Sequence, residues 1–140
     1  GGARTIRKFL EEEVGIQQKD FKISDGSGLS PSNEATPTAF IQLLTYIAEA
    51  GQWKTFLSTL PEAGQSLRRM YRTPAIRNLK AKTGTIEGVS ALTGVVKTRD
   101  GEELLFSLIS NELRSTRTSK RIEDLIGAQL AGFRRTPEIN

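Results

Sequence analysis

Two runs of β-favouring residues flank Asp100-Gly101, and this arrangement constrains the fold more than any other feature of the chain. The runs are "GVSALTGVVKT" before the dipeptide and "EELLFSLIS" after it. Asp-Gly between two such runs is a strong signal for a tight hairpin. Before them, Leu79, Ala81 and Thr83 alternate with lysines, which is the period of a half-buried strand. We therefore predict three consecutive antiparallel strands between residues 78 and 110.

Helical periodicity surrounds this sheet on both sides. Residues 4–14 predict an amphipathic helix ended by Gly15, and a short strand is expected at 21–23. Thr36 and Pro37 predict the start of a second helix that ends at Gly51. A short helix from Trp53 should stop at Pro61, and residues 67–71 are also expected to be helical. A C-terminal helix, capped by Ser115, Thr116 or Thr118, is expected to lie across the sheet.

These elements predict an α+β fold in which helices pack on an antiparallel sheet. A length of 140 residues, with 36% apolar and 26% charged residues, suits one compact unit. No run approaches the roughly 18 apolar residues of a membrane span, so we expect no transmembrane segment. The first residues show no signal peptide and no initiator methionine, so we expect either a processed product or a piece of a longer protein.

Cysteine and histidine are both absent from the chain. Their absence excludes thiol chemistry, disulfides, imidazole bases and the usual zinc ligands, and we expect neither a metal nor a cofactor. Any catalysis must then use Ser, Thr, Lys, Tyr or carboxylates. The six basic residues between Arg68 and Lys82, a stretch of fifteen residues without an acid, favour an anionic ligand or form a solvated surface.

Lys82-Thr83-Gly84, followed by Thr85, stands at the end of the first predicted strand. A lysine supplies a fixed positive charge for a carboxylate, and neighbouring hydroxyl groups can orient that carboxylate. A glycine leaves room where a substrate or a strand must come close. The alternative is an exposed strand end without chemistry, because such a tripeptide also occurs by chance.

The order of four segments adds weight to that tripeptide. "DGSGLS" at 25–30, a helix, "LPEAGQSLRRMYRTP" at 60–74 and "LKAKTGTIEGVSALTGVV" at 79–96 follow one another. Together they resemble the C-terminal part of the serine D-Ala-D-Ala carboxypeptidases/endopeptidases, the class C low-molecular-mass penicillin-binding proteins. The resemblance covers roughly residues 3–130. It implies a partial penicillin-binding-protein/β-lactamase-like fold, with residues 1–140 as the C-terminal portion of a transpeptidase-like domain.

The resemblance also implies roles for particular residues. Lys82 would be catalytic, and Thr83, Gly84 and Thr85 would bind the substrate, with the backbone N–H of Thr85 as half of an oxyanion hole. Arg68 and Arg69 resemble basic residues that face the acidic side chain of the substrate, although their spacing is shifted here. The implied ligands are a peptidoglycan peptide and, in the full-length enzyme, β-lactams, in a periplasmic or other extracytoplasmic location.

Two motifs of the family are missing from the chain. Ser-x-x-Lys, which carries the nucleophile, does not occur, and residues 5–8 are only a threonine analogue of it. Ser-x-Asn is also absent, since residues 30–33 have one residue too many. We therefore expect this chain alone to be inactive and to associate with a missing N-terminal part.

Three alternatives stay open. A non-catalytic module could use the same strand to bind an anionic peptide or glycan. A nucleic-acid module is disfavoured, because Tyr71 is the only aromatic residue in the basic cluster, and we expect no nucleic-acid partner.

Asp25 and Ser27 could be an acid and a nucleophile. A turn in which Asp25 accepts backbone hydrogen bonds and Gly26 and Gly28 take positive φ explains the same residues without chemistry.

Overall fold

The computed structural model describes residues 1–135. The sequence predicts one compact unit, whereas contacts divide the chain into two, Gly1–Phe56 and Leu57–Asn140. The composition of the apolar core accounts for the division. Its buried members all lie between Ala63 and Ala131, so the helices of the first unit contribute none of them.

The first unit contains helices, among them a short 3-10 helix at Gln18–Asp20, and a small sheet. Helix α1 (Gly2–Phe9) continues as a π-helical turn, Leu10–Val14, which Gly15 ends at a φ of 80°. Strands β1 (Phe21–Lys22) and β2 (Glu34–Ala35) pair antiparallel. The helix expected at residues 4–14 is thus present, with a change to π geometry in its last turn.

Helix α2 (Pro37–Glu49) begins and ends as its sequence predicts. The hydroxyl of Thr36 accepts a hydrogen bond from the backbone N–H of Ala39 at 3.1 Å, which satisfies one of the free donors of the first turn. Gly51 follows the helix with a φ of 75°. Helix α3 (Trp53–Thr59) ends just before Leu60-Pro61, as predicted.

The helix predicted at residues 67–71 is wrong. This segment instead makes short-range turns, in which the N–H of Arg69 donates to the carbonyl of Leu67 at 2.8 Å. Met70 and Arg72 have φ values of 61° and 59°. A left-handed residue cannot continue a right-handed helix, so two of them close together exclude one here.

The second unit contains the predicted antiparallel sheet. Its strands are β3 (Leu79–Ile86), β4 (Val89–Lys97) and β5 (Glu103–Ser110), in the order β3-β4-β5. Gly101 has a φ of 79° in the turn between β4 and β5. The three-stranded prediction and the Asp100-Gly101 hairpin are both confirmed.

Helix α4 (Thr116–Gly132) packs on one face of this sheet. Of the three predicted caps, Ser115 is the one that caps it, by accepting a hydrogen bond from the N–H of Arg117 at 3.3 Å. A Cβ atom at Gly127 would lie 2.9 Å from Leu79 Cδ1, so glycine permits the close approach of helix and sheet. The buried core residues are Ala63, Leu67, Met70, Ala75, Leu79, Ala81, Leu92, Val96, Phe106 and Ala131.

Candidate active site

Four of the predicted site residues, Lys82, Thr83, Gly84 and Thr85, lie on the open part of an edge strand. Strand β3 is an outer strand of the sheet, and residues 61–63 cover only its beginning. There the N–H of Ala63 donates to the carbonyl of Leu79 at 2.9 Å, and the N–H of Ala81 donates to the carbonyl of Pro61 at 3.0 Å. Within residues 1–135, no backbone group pairs with the outer edge of β3 beyond Ala81. The segment 82–85 is therefore a free strand edge.

The hydrogen-bond pattern shows which backbone groups point outward from β3. The N–H of Lys97 donates to the carbonyl of Asn78. In β3, the backbone N–H and C=O groups of even-numbered residues therefore point toward β4, and those of odd-numbered residues point away from it. The N–H groups of Thr83 and Thr85 accordingly point to the free edge. Two outward N–H groups on one exposed edge can bind the carbonyl oxygens of an extended peptide.

The ammonium group of Lys82 lies at the same edge. Its side chain is exposed, and Nζ donates a hydrogen bond to the carbonyl of Thr83 at 2.6 Å. That carbonyl points outward, so the positive charge lies beside the free N–H groups. The side chains of Thr83 and Thr85 leave the opposite face of the strand from Lys82. The free segment of β3 thus carries a cation, two outward N–H groups and two hydroxyl groups within four residues.

Gly84 leaves open space next to this charge. A Cβ atom built there would contact only the Cβ of Ala91, at the ordinary distance of 3.6 Å. Its φ is not left-handed, so neither crowding within the described residues nor backbone conformation requires a glycine. The strand surface at Gly84 is therefore open beside Lys82.

A pair of hydroxyl groups extends the polar row from Lys82 across the sheet. Thr93 is the register partner of Lys82, and Ser107 is the register partner of Thr93. Their oxygens, Oγ1 and Oγ, lie 2.8 Å apart. The sequence interpretation missed both residues, although the Asp100-Gly101 turn fixes the register that brings them together.

The two predicted arginines have different environments. Arg68 is exposed. The side chain of Arg69 is only 15% exposed, and its Nε donates to Asp124 Oδ1 at 2.8 Å. Its Nη2 donates to Glu123 Oε1 at 3.1 Å and to the carbonyl of Lys120 at 3.0 Å. The guanidinium of Arg69 is thus held against α4 by three acceptors, whereas Arg68 is exposed.

The Asp25 loop has the geometry of a turn. Asp25 Oδ1 accepts hydrogen bonds from the hydroxyl of Ser27 at 2.7 Å, from the N–H of Ser27 at 3.0 Å and from Asn33 Nδ2 at 3.3 Å. The hydroxyl of Ser27, followed by its N–H, lowers the pKa of Asp25 below the ordinary 3.8. Gly28 has a φ of 74°, as predicted, but the positive φ predicted for Gly26 is wrong. These bonds account for Asp25 and Ser27 by turn geometry.

The described helices carry no membrane span, since none within residues 1–135 is both long and apolar enough to cross a bilayer. In the same part of the chain, no group of three or more Asp or Glu side chains is arranged to hold a metal ion.

Comparison with known proteins gives consistent matches over most of the chain. The family described as D-Ala-D-Ala carboxypeptidase 3 (S13) matches residues 1–132. A D-alanyl-D-alanine carboxypeptidase from Actinomadura sp. (strain R39) is 35% identical over 128 residues, which are 86% of this chain and 23% of that protein. The D-alanyl-D-alanine carboxypeptidase DacB of Haemophilus influenzae is 30% identical over 75% of this chain and 23% of its own length.

Solved structures show the same fold. Penicillin-binding protein 4 (dacB) from Haemophilus influenzae, in complex with a β-lactam, superposes with a TM-score of 0.80 and 26% identity. The match covers 94% of this chain and 33% of that one. A predatory endopeptidase from Bdellovibrio bacteriovorus, at 20% identity and a TM-score of 0.72, shares the fold. The chain spans less than a quarter of the length of these curated relatives, and it belongs to the D-Ala-D-Ala carboxypeptidase 3 (S13) family.

Proposed function

We propose that this chain is the part of a serine-type D-Ala-D-Ala carboxypeptidase/endopeptidase that supplies the Lys-Thr-Gly strand to the active site. One observation carries the proposal. Lys82 Nζ lies at the free edge of β3, 2.6 Å from the carbonyl of Thr83, beside the outward N–H of Thr85. Membership of the family and the fold of penicillin-binding protein 4 support the same function.

The substrate is a peptidoglycan peptide that lies along β3. In this proposal, Lys82 and the hydroxyl groups of Thr83 and Thr85 bind the carboxylate of the terminal D-Ala. A serine outside the chain attacks the carbonyl of the preceding residue, and the N–H of Thr85 stabilises the oxyanion that forms. The C–N bond to the terminal residue then breaks, the amine leaves with a proton, and water hydrolyses the acyl-enzyme.

Several properties belong to the full-length protein. In this proposal the nucleophile comes from another part of the polypeptide, since Ser-x-x-Lys is absent from residues 1–140. We propose that the chain associates with that part, that β-lactams acylate the assembled enzyme, and that the enzyme acts in the periplasm or another extracytoplasmic space. Arg68, which is exposed, is the arginine proposed to face the substrate.

The test is a pair of lysine variants in the full-length protein. We expect Lys82→Ala to lower the rate of acylation by a reporter β-lactam by about 10²–10³, because a charge that stabilises the transition state is lost. Lys80→Ala is the matched control, since Lys80 lies two residues earlier on the same face and its Nζ is 3.4 Å from the carbonyl of Leu57. Thermal melts establish that both variants fold. Equal acylation rates in two folded variants would exclude the peptidase function.

A non-catalytic binding module is the second candidate. The missing Ser-x-x-Lys motif favours it. Such a module would bind an anionic peptide or glycan through the edge of β3 without covalent chemistry. A full-length protein that binds D-Ala-D-Ala peptides but never forms an acyl-enzyme, as measured by intact-protein mass spectrometry, would support this second function.

A further inference from the structure

The apolar core ends before the candidate site begins. Ala81 and Leu92 are its last members in the β3–β4 hairpin. Beyond them lies the hairpin tip, residues 83–90, in which every residue except Ser90 is partly or fully exposed. Apolar packing therefore does little to fix the strand end that carries Thr83, Gly84 and Thr85.

A buried hydrogen bond anchors the tip to α4 instead. Ser90 is 1% exposed, and its hydroxyl donates to Glu123 Oε2 at 2.6 Å. Glu123, on α4, is 2% exposed. Its other oxygen, Oε1, accepts from Arg69 Nη2 at 3.1 Å. Both oxygens of this buried carboxylate thus accept hydrogen bonds. One bond comes from the hairpin tip and the other from the segment that precedes β3.

Arg69 orients this carboxylate through further bonds. It also donates to Asp124 Oδ1 and to the carbonyl of Lys120, both on α4. Hydrogen bonds between charged groups are short and directional, so several of them on one guanidinium hold Glu123 in a single orientation. The network, consisting of Arg69, Glu123, Asp124 and Ser90, links three separate parts of the second unit.

The register connects Ser90 to the proposed oxyanion donor. Ser90 is paired with Thr85 across the two strands. Even-numbered residues of β3 form the hydrogen-bonded pairs, so Thr85 and Ser90 form a non-hydrogen-bonded pair, in which the two residues approach most closely. The position of Ser90 therefore influences the position of Thr85, whose outward N–H pairs with no second strand within residues 1–135.

We propose that Ser90 and Glu123, with Arg69, are positioning residues that fix the direction of the Thr85 N–H. The inference rests on the proposed function for the role of Thr85, but the mechanical link can be measured without catalysis. Ser90 and Glu123 are buried and do not reach the substrate themselves. They act through the backbone of β4, as a supporting layer behind the residues that contact the ligand.

The first experiment measures ¹⁵N relaxation in the 140-residue chain. We expect Ser90→Ala to lower the order parameter of the Thr85 amide from the rigid value of about 0.85 to about 0.6. Ser110→Ala is the matched control, because Ser110 is the register neighbour of Ser90 on β5 and removes a hydroxyl from the same face. Glu123→Gln, which keeps the side-chain shape, should loosen Thr85 in the same direction. An unchanged Thr85 amide in Ser90→Ala or Glu123→Gln, or an equal change in Ser110→Ala, overturns the inference.

The second experiment measures acylation by a reporter β-lactam in the full-length protein. Ser90→Ala should lower the acylation rate constant roughly tenfold without changing the affinity of the non-covalent complex, because a misplaced donor acts on the transition state. A loss of affinity with an unchanged rate constant contradicts the positioning role. The proposed function fails separately, if Lys82→Ala acylates normally while Ser90→Ala still loosens the Thr85 amide.

Discussion

Hydrogen bonds from Ser27 lower the pKa of Asp25 in the first unit. Ser27 donates two of them to Asp25 Oδ1, and these bonds favour the ionised carboxylate. The pKa of Asp25 in the folded chain lies below 3.8. The stability that the ionised carboxylate contributes to the loop is therefore fully present above the pH at which a free Asp titrates. It is lost as the pH falls through the lowered pKa.

Ser27→Ala is predicted to raise the pKa of Asp25 back toward 3.8. The substitution removes the hydroxyl bond, which is the largest cause of the shift, and keeps the backbone N–H. NMR titration of the Asp25 carboxyl carbon measures the change. Ser32→Ala, in the same loop, removes a hydroxyl that is not bonded to Asp25 and should leave the midpoint unchanged. A midpoint that is the same in wild type and Ser27→Ala would contradict this origin of the shift.

Residue-scale contacts were also where the sequence was least informative. Glu123 lies in an amphipathic helix, where a carboxylate normally faces solvent, and nothing local shows that it is buried against Ser90 and Arg69. The pairing depends on residues 33 and 54 positions apart in the chain. The role of Arg69 in holding α4 could not be predicted for the same reason, and only the tertiary structure separates it from Arg68.

The elements themselves follow closely from local physical chemistry. Thr36-Pro37 specifies the start of α2, and Asp100-Gly101 specifies the hairpin between β4 and β5. Residues 67–71 were mispredicted, because Met70 and Arg72 take left-handed φ values that their side chains do not favour. Such a conformation is imposed by the surrounding structure, so it leaves no signal in the sequence.

Substitution of glycine by alanine is predicted to affect stability differently at two positions of the β3–β4 pair, Gly94 and Gly84. At Gly94 an added Cβ would lie 2.7 Å from Ala81 Cα and 2.9 Å from Ala81 Cβ. Gly94→Ala must therefore separate the two strands, and we expect a loss of about 1–3 kcal/mol in the free energy of unfolding. At Gly84 the added Cβ meets only the Cβ of Ala91, at 3.6 Å.

Urea unfolding of the isolated chain compares the two variants directly. Gly84→Ala should stay within about 0.5 kcal/mol of the wild type, as substitutions without a steric conflict usually do. Gly94→Ala should shift the midpoint to lower urea concentration. If both variants lose the same stability, then strand contact does not distinguish the two positions, and the space at Gly84 is not evidence of a place for the substrate.

At the scale of the whole molecule, the chain carries the proposed substrate-binding edge of β3 but no Ser-x-x-Lys motif. The edge of β3 is formed within the second unit and needs no residue beyond those described to place Lys82 beside Thr85. Acylation needs a serine with a base within hydrogen-bonding distance. Ser-x-x-Lys, which provides both in this family, is absent from residues 1–140.

We therefore predict that the isolated chain forms no covalent adduct with penicillin. Intact-protein mass spectrometry after incubation with a reporter β-lactam measures this, with the full-length protein as the positive control. The hydroxyl of Ser90 is buried, with the residue 1% exposed, so it is not accessible to the lactam. The hydroxyl of Ser27 donates to Asp25, whose pKa this bond lowers, so that carboxylate is a weak base for activating the serine. A stoichiometric adduct on any serine of the isolated chain would show that the catalytic unit is complete in these 140 residues, and that the nucleophile does not come from elsewhere.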